Sequence, residues 1–314
     1  MADFQRYEEP ERYYLLTNRT EQGRFLFRPD AECRRIAKGC LAWAAEKCGV
    51  RLVAYVFISN HFHIVAAFPD ASRGEFMREF QGELSGRIGD HREDYDGTVF
   101  NDSYHPLPLL DPETLLERIS YTVNNAVRHG LVTHPEAWPG VCSFENLRDG
   151  TPLVGHWLDH NRWHNLSRRK EPPPRKAAMV EHVIDLHIPE CLPGETEQER
   201  RRLMLDKIEE ERKRFCFEAG IDRHCRPDSP SEFKTMDWRT KQRLEDESKP
   251  RKACAAKDPS RVADYLEMRR ETDADYRAAA EAWKAGEPAT FPLGTYPPGC
   301  AKLVEELKAR APPE

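Results

Sequence analysis

Residues 51–68 read RLVAYVFISNHFHIVAAF, and this stretch decides how the first half of the chain folds. It contains two apolar runs, residues 51–58 and 61–68, that are rich in the β-branched and aromatic residues favouring strands. Only Ser59 and Asn60 separate the runs, which is the spacing of a tight β-hairpin. The stretch therefore predicts two neighbouring antiparallel strands.

Periodic patterns on either side of this hairpin complete a βαββαβ order. Upstream, residues 12–20 predict a strand, and apolar residues that recur every three or four positions up to Gly49 predict a helix. Downstream, we expect a second helix over 76–88, an extended stretch over 97–110 and a third helix over 111–130. The order is typical of the ferredoxin-like arrangement, so the expected fold class is α+β with an antiparallel sheet and a following helix.

The sequence changes character near residue 150. Three prolines at 172–174 lie between short basic runs, which is typical of a linker. We therefore expect a first domain at 1–150 that carries the chemistry, a basic Pro-rich linker at 151–180 and a mainly helical accessory region of unknown role at 181–314. Within that last region we expect helices over 197–219, 231–247 and 258–285 and a Pro/Gly-rich tail over 291–299.

The composition indicates a soluble protein, with 39% hydrophobic and 32% charged residues. No run approaches the roughly 18 to 20 apolar residues of a membrane helix, and the N-terminus is too polar for a signal peptide, so we expect a cytoplasmic protein with no membrane partner. Nine cysteines without a Cys-x-x-Cys pair fit reduced thiols. The net charge of −6 argues against broad binding of duplex DNA, so a nucleic-acid contact must be a focused site.

His61 and His63 are the first residues that indicate chemistry. Because side chains alternate along a strand, both imidazoles point to the same face of the predicted strand. Two imidazoles side by side form an open half-site for a divalent metal. His-x-His is a short pattern, and the alternative is a pair of surface or core histidines without a ligand role.

The third predicted helix carries a tyrosine opposite its apolar stripe. At about 100° per residue, Asn125 and Arg128 lie within about 40° of Tyr121. A phenol with a pKa of about 10 needs a neighbour that stabilises phenolate, and a metal at the two histidines would do so while Asn125 supplies a third ligand. Imidazole with hard oxygen ligands favours Mg²⁺ or Mn²⁺. The alternative is an exposed aromatic on a polar face.

Two motifs resemble one known family. Residues 59–65 (SNHFHIV) look like the His-hydrophobic-His strand of the HUH single-tyrosine transposases, and residues 121–132 (YTVNNAVRHGLV) are similar to that family's Tyr-x-x-x-Asn-Pro-Val-Arg-x-Gly-Leu-Val helix end. Residues 135–139 (PEAWP) resemble the segment that follows. The match spans roughly residues 12–147, with the insertion sequence 200-like and REP-associated tyrosine transposases as the most similar groups.

The resemblance implies a role for each matching residue. His61 and His63 correspond to metal ligands, Asn125 to a further ligand and Tyr121 to the nucleophile. It also implies a covalent 5′-phosphotyrosine, a free 3′-hydroxyl and recognition of a DNA hairpin beside the cut. Single-stranded or hairpin DNA is therefore the expected partner.

The chain departs from the family pattern at two positions. Ser59 stands where the family often has Pro, and Ala126 stands where it usually has Pro after the Asn. Without that second Pro the helix is free to continue past Asn125. Neither change removes a group with an implied chemical role.

Arginines near the first strand are further candidates for DNA contacts. Arg19, Arg24 and Arg28 surround two phenylalanines, and aromatics between arginines can stack on unpaired bases and pair with phosphates. A solvated, partly packed edge is the alternative. Arg128, beside Tyr121 on the helix, is the fourth candidate.

The leading hypothesis is metal-dependent cleavage and transfer of single-stranded DNA, as in a transposase. One alternative is a domesticated, non-catalytic nucleic-acid-binding regulator with the same fold. Another is a metal-dependent phosphoesterase that acts through water and leaves Tyr121 without a role. A single tyrosine must act twice or work with that of a second subunit, so a monomer and a homodimer both stay open.

Overall fold

A computed structural model describes residues 7–100, 103–218, 230–241, 252–295 and 297–298. Its first half has the predicted βαββαβ order followed by a further helix. The elements are β1 (Tyr13–Arg19), α1 (Ala31–Lys47), β2 (Arg51–Ile58), β3 (His61–Ala67), α2 (Arg73–His91), β4 (His105–Leu109) and α3 (Pro112–Val123).

The four strands form one antiparallel sheet in the order β2-β3-β1-β4. β2 and β3 form the predicted hairpin, in which Ser59 and Asn60 make the turn. β1 lies inside the sheet, between β3 and β4. The α+β fold with a ferredoxin-like order of elements is therefore confirmed.

The sheet is covered on both faces. Phe62 of β3 contacts Phe80 of α2, with ring centroids 5.3 Å apart, and α1 packs against α2 on this side. His61 and His63 point to the other face, which α3 covers. Burial on both faces explains why β2 and β3 read as nearly continuous apolar runs.

The third predicted helix, expected over 111–130, is divided in two. α3 ends at Val123, and a short helix, α4 (Asn125–Arg128), continues from Asn124 until the chain turns at Gly130, whose φ is 68°. At the break, the Asn124 side chain donates from Nδ2 to the carbonyl oxygen of Ile208 at 2.8 Å. This contact comes from a helix far along the chain and could not be read from the local pattern.

Residues 151–180 contain regular structure, which corrects their prediction as a linker. β5 (Leu153–Leu158) and β6 (Met179–Ile184) pair antiparallel, with α6 (His160–Ser167) between them. The pair packs so closely on α1 that a Cβ at Gly39 would lie 2.4 Å from the carbonyl oxygen of His156. The Pro-rich run is therefore part of a long connection within a hairpin. The wider division into a first domain and an accessory region stays a prediction.

Helices predominate in the described part of residues 181–314. α5 (Phe144–Asp149) precedes this region, which contains α7 (Glu197–Glu218), α8 (Pro230–Thr235) and α9 (Pro259–Lys284). α7 and α9 agree with the predicted helices. The helix predicted over 231–247 ends early, where Trp238 turns in to pack on Tyr95, and residues 242–247 lie outside the described residues. The predicted tail over 291–299 also lies partly outside them.

Across the described ranges, no helix is both long and apolar enough to cross a membrane.

Candidate active site

His61 and His63 lie side by side on β3, facing α3. The register of β1 and β3 places Arg19 opposite His61 and Thr17 opposite His63, and residues opposite one another share a face of the sheet. The two imidazole centroids are 5.0 Å apart. Both side chains are buried, with 5% and 6% of their surface exposed. The structure thus brings the two predicted ligands together on one face.

Both ring nitrogens of His61 face amide oxygens. Nδ1 lies 2.8 Å from Oδ1 of Asn60, and Nε2 lies 3.0 Å from Oδ1 of Asn125. Burial lowers the pKa of His61 to about 3, and the charges of His129 and Arg19 act in the same direction, so the ring is neutral. A neutral imidazole has one N–H, so only one of the two contacts is a hydrogen bond. With the proton on Nδ1, the lone pairs of Nε2 and Oδ1 of Asn125 converge.

His63 has a similar arrangement. Its Nδ1 lies 2.8 Å from Oγ1 of Thr17, which can accept the N–H and leave Nε2 as the ligand atom. Burial lowers the pKa of His63 well below its usual range, and the closeness of His61 acts in the same direction because two adjacent protonated rings would repel each other. Metal-binding histidines usually hold their second nitrogen in such a hydrogen bond, which fixes the tautomer and the ring orientation.

Tyr121 lies on α3 beside His63. The two rings meet edge to face, with centroids 5.3 Å apart. Arg128 donates from Nη1 to the Tyr121 hydroxyl at 3.3 Å, and its guanidinium carbon lies 5.0 Å from the ring centroid. Arg118 approaches the same ring at 5.7 Å. The tyrosine is partly exposed and contacts a cation that can stabilise a phenolate.

Asn125 is fully buried, although the sequence places it on the polar side of the helix with Tyr121. The side of α3 and α4 that looked polar in the sequence packs against the histidine face of the sheet. Oδ1 of Asn125 therefore points at His61, while Nδ2 has no hydrogen-bond partner in the described part of the chain. The buried amide is explained by a contact between elements.

A cavity of about 150 Å³ opens beside His61. Apolar side chains, including Phe25, Leu131 and Phe233, line one part of it, and Asn60 contributes a polar part. Because His61 is itself almost completely buried, this cavity offers a small ligand an approach to the histidine.

These side chains fit a divalent cation. In octahedral coordination at about 2.1 Å, neighbouring ligands are about 3.0 Å apart. Nε2 of His61 and Oδ1 of Asn125 are 3.0 Å apart, which matches the separation expected for two ligands of one cation. Among the described residues, no group of three or more His, Cys, Asp or Glu side chains could hold a metal. The candidate set is therefore His61, His63 and Asn125, which suits Mg²⁺ or Mn²⁺ and leaves positions for phosphate oxygens.

Two of the four arginines predicted to contact DNA adjoin this site. Arg19 is exposed and lies opposite His61, and Arg128 contacts Tyr121. They place positive charge at the rim of the candidate metal site.

The other two arginines have partners within the chain. Arg24 donates to the side chain of Gln22 at 3.3 Å. Arg28 pairs with Asp30 at 3.3 Å and donates to the carbonyl oxygen of Met236 at 2.9 Å. For all four arginines, DNA binding stays a prediction.

The local sequence pattern does not single out Thr17, Asn60 or Arg118. Thr17 and Arg19 are two positions apart on β1, so they share a face, but only the register shows that this face carries the histidines. The pattern marks Asn60 only as a turn residue and Arg118 only as part of a polar helix face. The register of β1 against β3 is the signal that would have found Thr17.

No protein-family model and no curated protein matches the chain. Several solved chains are similar to part of it, and two of them are transposases. A structure of the REP-associated tyrosine transposase bound to a REP hairpin has 14% identity and a TM-score of 0.41, covering 48% of this chain and 86% of that one. A provisionally described transposase from Deinococcus radiodurans R1 has 22% identity and a TM-score of 0.27, covering 30% and 76%. At TM-scores this low the likenesses carry no weight in assigning a function, which must rest on this chain's own residues.

Proposed function

We propose that this chain is a metal-dependent transposase that cuts and rejoins single-stranded DNA through a covalent 5′-phosphotyrosine at Tyr121. One observation carries the proposal. The Tyr121 ring contacts His63 at a centroid distance of 5.3 Å, beside the converging Nε2 of His61 and Oδ1 of Asn125. The proposed nucleophile and the side chains of the three proposed ligands are therefore neighbours within one chain.

In this proposal Tyr121 supplies the attacking oxygen. Its hydroxyl attacks the scissile phosphorus, the Tyr–O–P bond forms as the P–O3′ bond breaks, and the phenol proton passes to solvent. The departing oxygen takes up a proton and becomes a 3′-hydroxyl. Arg128, which donates to the phenol oxygen at 3.3 Å, stabilises its anionic form. In the reverse step a 3′-hydroxyl attacks the phosphotyrosine, so no external energy source is needed.

His61, His63 and Asn125 would hold Mg²⁺ or Mn²⁺, which when bound offsets the negative charge of the nonbridging phosphate oxygens. The chain's own residues prepare this site. Burial keeps both imidazoles neutral, and the contacts of their Nδ1 atoms with Asn60 and Thr17 direct Nε2 inward. Ligand atoms fixed in advance need little rearrangement when the cation binds.

The nucleophile is tested by the Tyr121→Phe variant, with Tyr13→Phe, which lies on β1 and contacts His187, as the matched control. The substrates are DNA hairpins formed by inverted repeats in the DNA that flanks the coding gene, labelled at either end and supplied with Mg²⁺ or Mn²⁺. Wild type and Tyr13→Phe should form a covalent protein–DNA adduct on denaturing gels. Tyr121→Phe should form none, because it lacks the attacking oxygen.

Each other outcome contradicts a specific part of the proposal. An adduct formed by Tyr121→Phe shows that another residue is the nucleophile. Cleavage by the wild type without an adduct indicates hydrolysis by water. Binding of the hairpins without cleavage supports the non-catalytic regulator.

The metal site is tested by a measurement that does not depend on cleavage. Thr17→Val removes the oxygen that orients His63, so we expect Mn²⁺ affinity, measured by electron paramagnetic resonance, to fall about 10- to 100-fold. Thr133→Val changes an exposed threonine and is the control. Equal Mn²⁺ affinity for both variants would show that His63 is not held for metal binding by Thr17.

A further inference from the structure

The connection between β5 and β6 concentrates positive charge in an acidic chain. Residues 159–176, here called the basic excursion, contain α6 and the Pro-rich run. They carry six basic and two acidic residues, a net charge of +4, whereas the whole chain has −6. The basic residues are Arg162, Arg168, Arg169, Lys170, Arg175 and Lys176.

The basic excursion is exposed, and its basic side chains form no salt bridge with another described residue, although Arg175 is close enough to Glu32 to help lower the pKa of that carboxyl. All six basic side chains are exposed, and α6 has no buried residue. In the described ranges none of the six takes part in a salt bridge, and Asp159 accepts the backbone N–H of Arg162 as the helix cap. Within that part of the chain, the structure therefore gives these cations no ion-pair partner.

α7 shows what a charged helix without an external partner looks like in the same chain. Its basic residues form ion pairs along the helix, such as Arg201 with Glu197, Lys207 with Glu210 and Arg212 with Glu209. Such a face is close to neutral and needs no ligand. The basic excursion lacks this pattern, so its charge is available to a polyanion.

The strand that leads into the basic excursion is packed against α1 and α2. Trp157 of β5 stacks on Trp43 of α1, with centroids 4.9 Å apart and planes 4° apart. Arg87 of α2 donates to the carbonyl oxygen of Leu158 at 2.6 Å, immediately before the excursion begins. These contacts attach it to the α1 and α2 side of the sheet. The candidate active site faces the other side, so any ligand here is not the phosphate at Tyr121.

We infer that the basic excursion binds the phosphate backbone of DNA outside the segment that reaches Tyr121. Lys and Arg clusters attract phosphates regardless of sequence, and a focused cluster is how a chain of net negative charge would hold a nucleic acid. The choice of DNA as the polyanion rests on the proposed function. The surface itself follows from the charge and exposure of residues 159–176.

The test is the triple variant Arg168→Gln, Arg169→Gln and Lys170→Gln. The matched control is Arg78→Gln, Arg202→Gln and Lys213→Gln, which removes three exposed but ion-paired charges from α2 and α7. Binding of a fluorescent DNA hairpin with single-stranded arms is measured in EDTA over a range of NaCl concentrations. The triple variant should bind at least about tenfold more weakly, and its log–log salt slope should be smaller by about 2 to 3. The control should keep the wild-type slope.

Equal salt slopes of DNA binding for the two triple variants would overturn the inference. Tighter binding of duplex RNA or polyglutamate than of DNA at the same surface would also overturn it. Because the substituted side chains are all exposed, both variants should keep the wild-type melting temperature. If the slope changes but no protein forms an adduct, the inference stands and the proposed catalysis fails. If adducts form but the slopes are equal, only the inference fails.

Discussion

Asn124, which separates α3 from α4, should be more important for stability than any exposed residue of those helices. It is fully buried, and its Nδ2 donates to the carbonyl oxygen of Ile208 on α7 at 2.8 Å and to Oγ of Ser120 at 3.3 Å. Its Oδ1 has no partner within the described residues. The side chain thus connects α7 to the helix that carries Tyr121.

The hydrogen bonds of Asn124 and Ser120 determine how much stability each substitution should remove. Asn124→Ala removes the two donated bonds but also the unpartnered Oδ1, so it should lower the free energy of unfolding by about 1 to 2 kcal/mol. Asn124→Asp keeps the shape but places a carboxylate oxygen against the Ile208 carbonyl, which should cost about 3 kcal/mol or more. Ser120→Ala removes two long bonds, the one from Oγ to the Lys207 carbonyl at 3.2 Å and the one that Oγ accepts from Asn124 at 3.3 Å. Because Nδ2 of Asn124 keeps its shorter bond to Ile208, this variant should cost about 1 kcal/mol, less than Asn124→Ala.

Urea unfolding, monitored by circular dichroism, measures the stability of the three variants. Mn²⁺ titration of the folded variants shows whether the loss of stability is accompanied by weaker metal binding at the candidate site. Because Asn125 follows Asn124 directly, Asn124→Ala should also weaken Mn²⁺ binding, whereas Ser120→Ala should leave it close to wild type. The reasoning is refuted if Asn124→Asp is as stable as the wild type, or if Ser120→Ala costs more than Asn124→Ala.

Two further predictions concern stability. Gly39→Ala should lower the free energy of unfolding by about 1 to 3 kcal/mol, because its Cβ would lie 2.4 Å from the His156 carbonyl oxygen. The control Gly86→Ala should be neutral or stabilising, because a Cβ there meets nothing within 4 Å. Equal midpoints of urea unfolding for the two variants would contradict the packing of β5 on α1. Although burial opposes it, hydrogen bonds from neighbours that include Arg92 hold the pKa of Asp30 well below its usual range. The stabilisation by ionised Asp30 is present above pH about 4 and is lost as the pH falls. In acid unfolding the wild type should therefore lose more stability between pH 4 and 2 than the Asp30→Asn variant. Parallel plots of stability against pH for the two proteins would contradict this prediction.

The sequence is sufficient for the elements whose patterns are local. The period of two along a strand is enough to put His61 and His63 on one face, and the Ser59-Asn60 spacing is enough to predict the hairpin. The helical period likewise puts Tyr121 opposite the apolar stripe. These inferences need only the geometry of one element.

The sequence is not sufficient where distant segments meet. The helix break at Asn124 involves the Ile208 carbonyl, 84 residues later. Asn125 lies on the polar side of its helix in the sequence pattern, and the pattern of one helix does not show that this side covers a sheet and is buried. The prolines between β5 and β6 are typical of a linker, so the sequence pattern does not predict that these two strands pair. The close approach of Gly39 to His156 depends on two segments that are more than 100 residues apart.

The sheet edges bear on whether a second subunit completes the site. The outer edge of β2 is paired with Cys142, and the outer edge of β4 is paired with Ala255, so later parts of the same chain occupy both edges at these points. Extension of the sheet into a second copy would have to displace them. Tyr121 and His63 also meet within one chain, so the proposed nucleophile and this proposed ligand come from the same subunit. Under the proposed mechanism each chain then carries its own tyrosine and its own set of ligand side chains, and a homodimer remains a separate prediction.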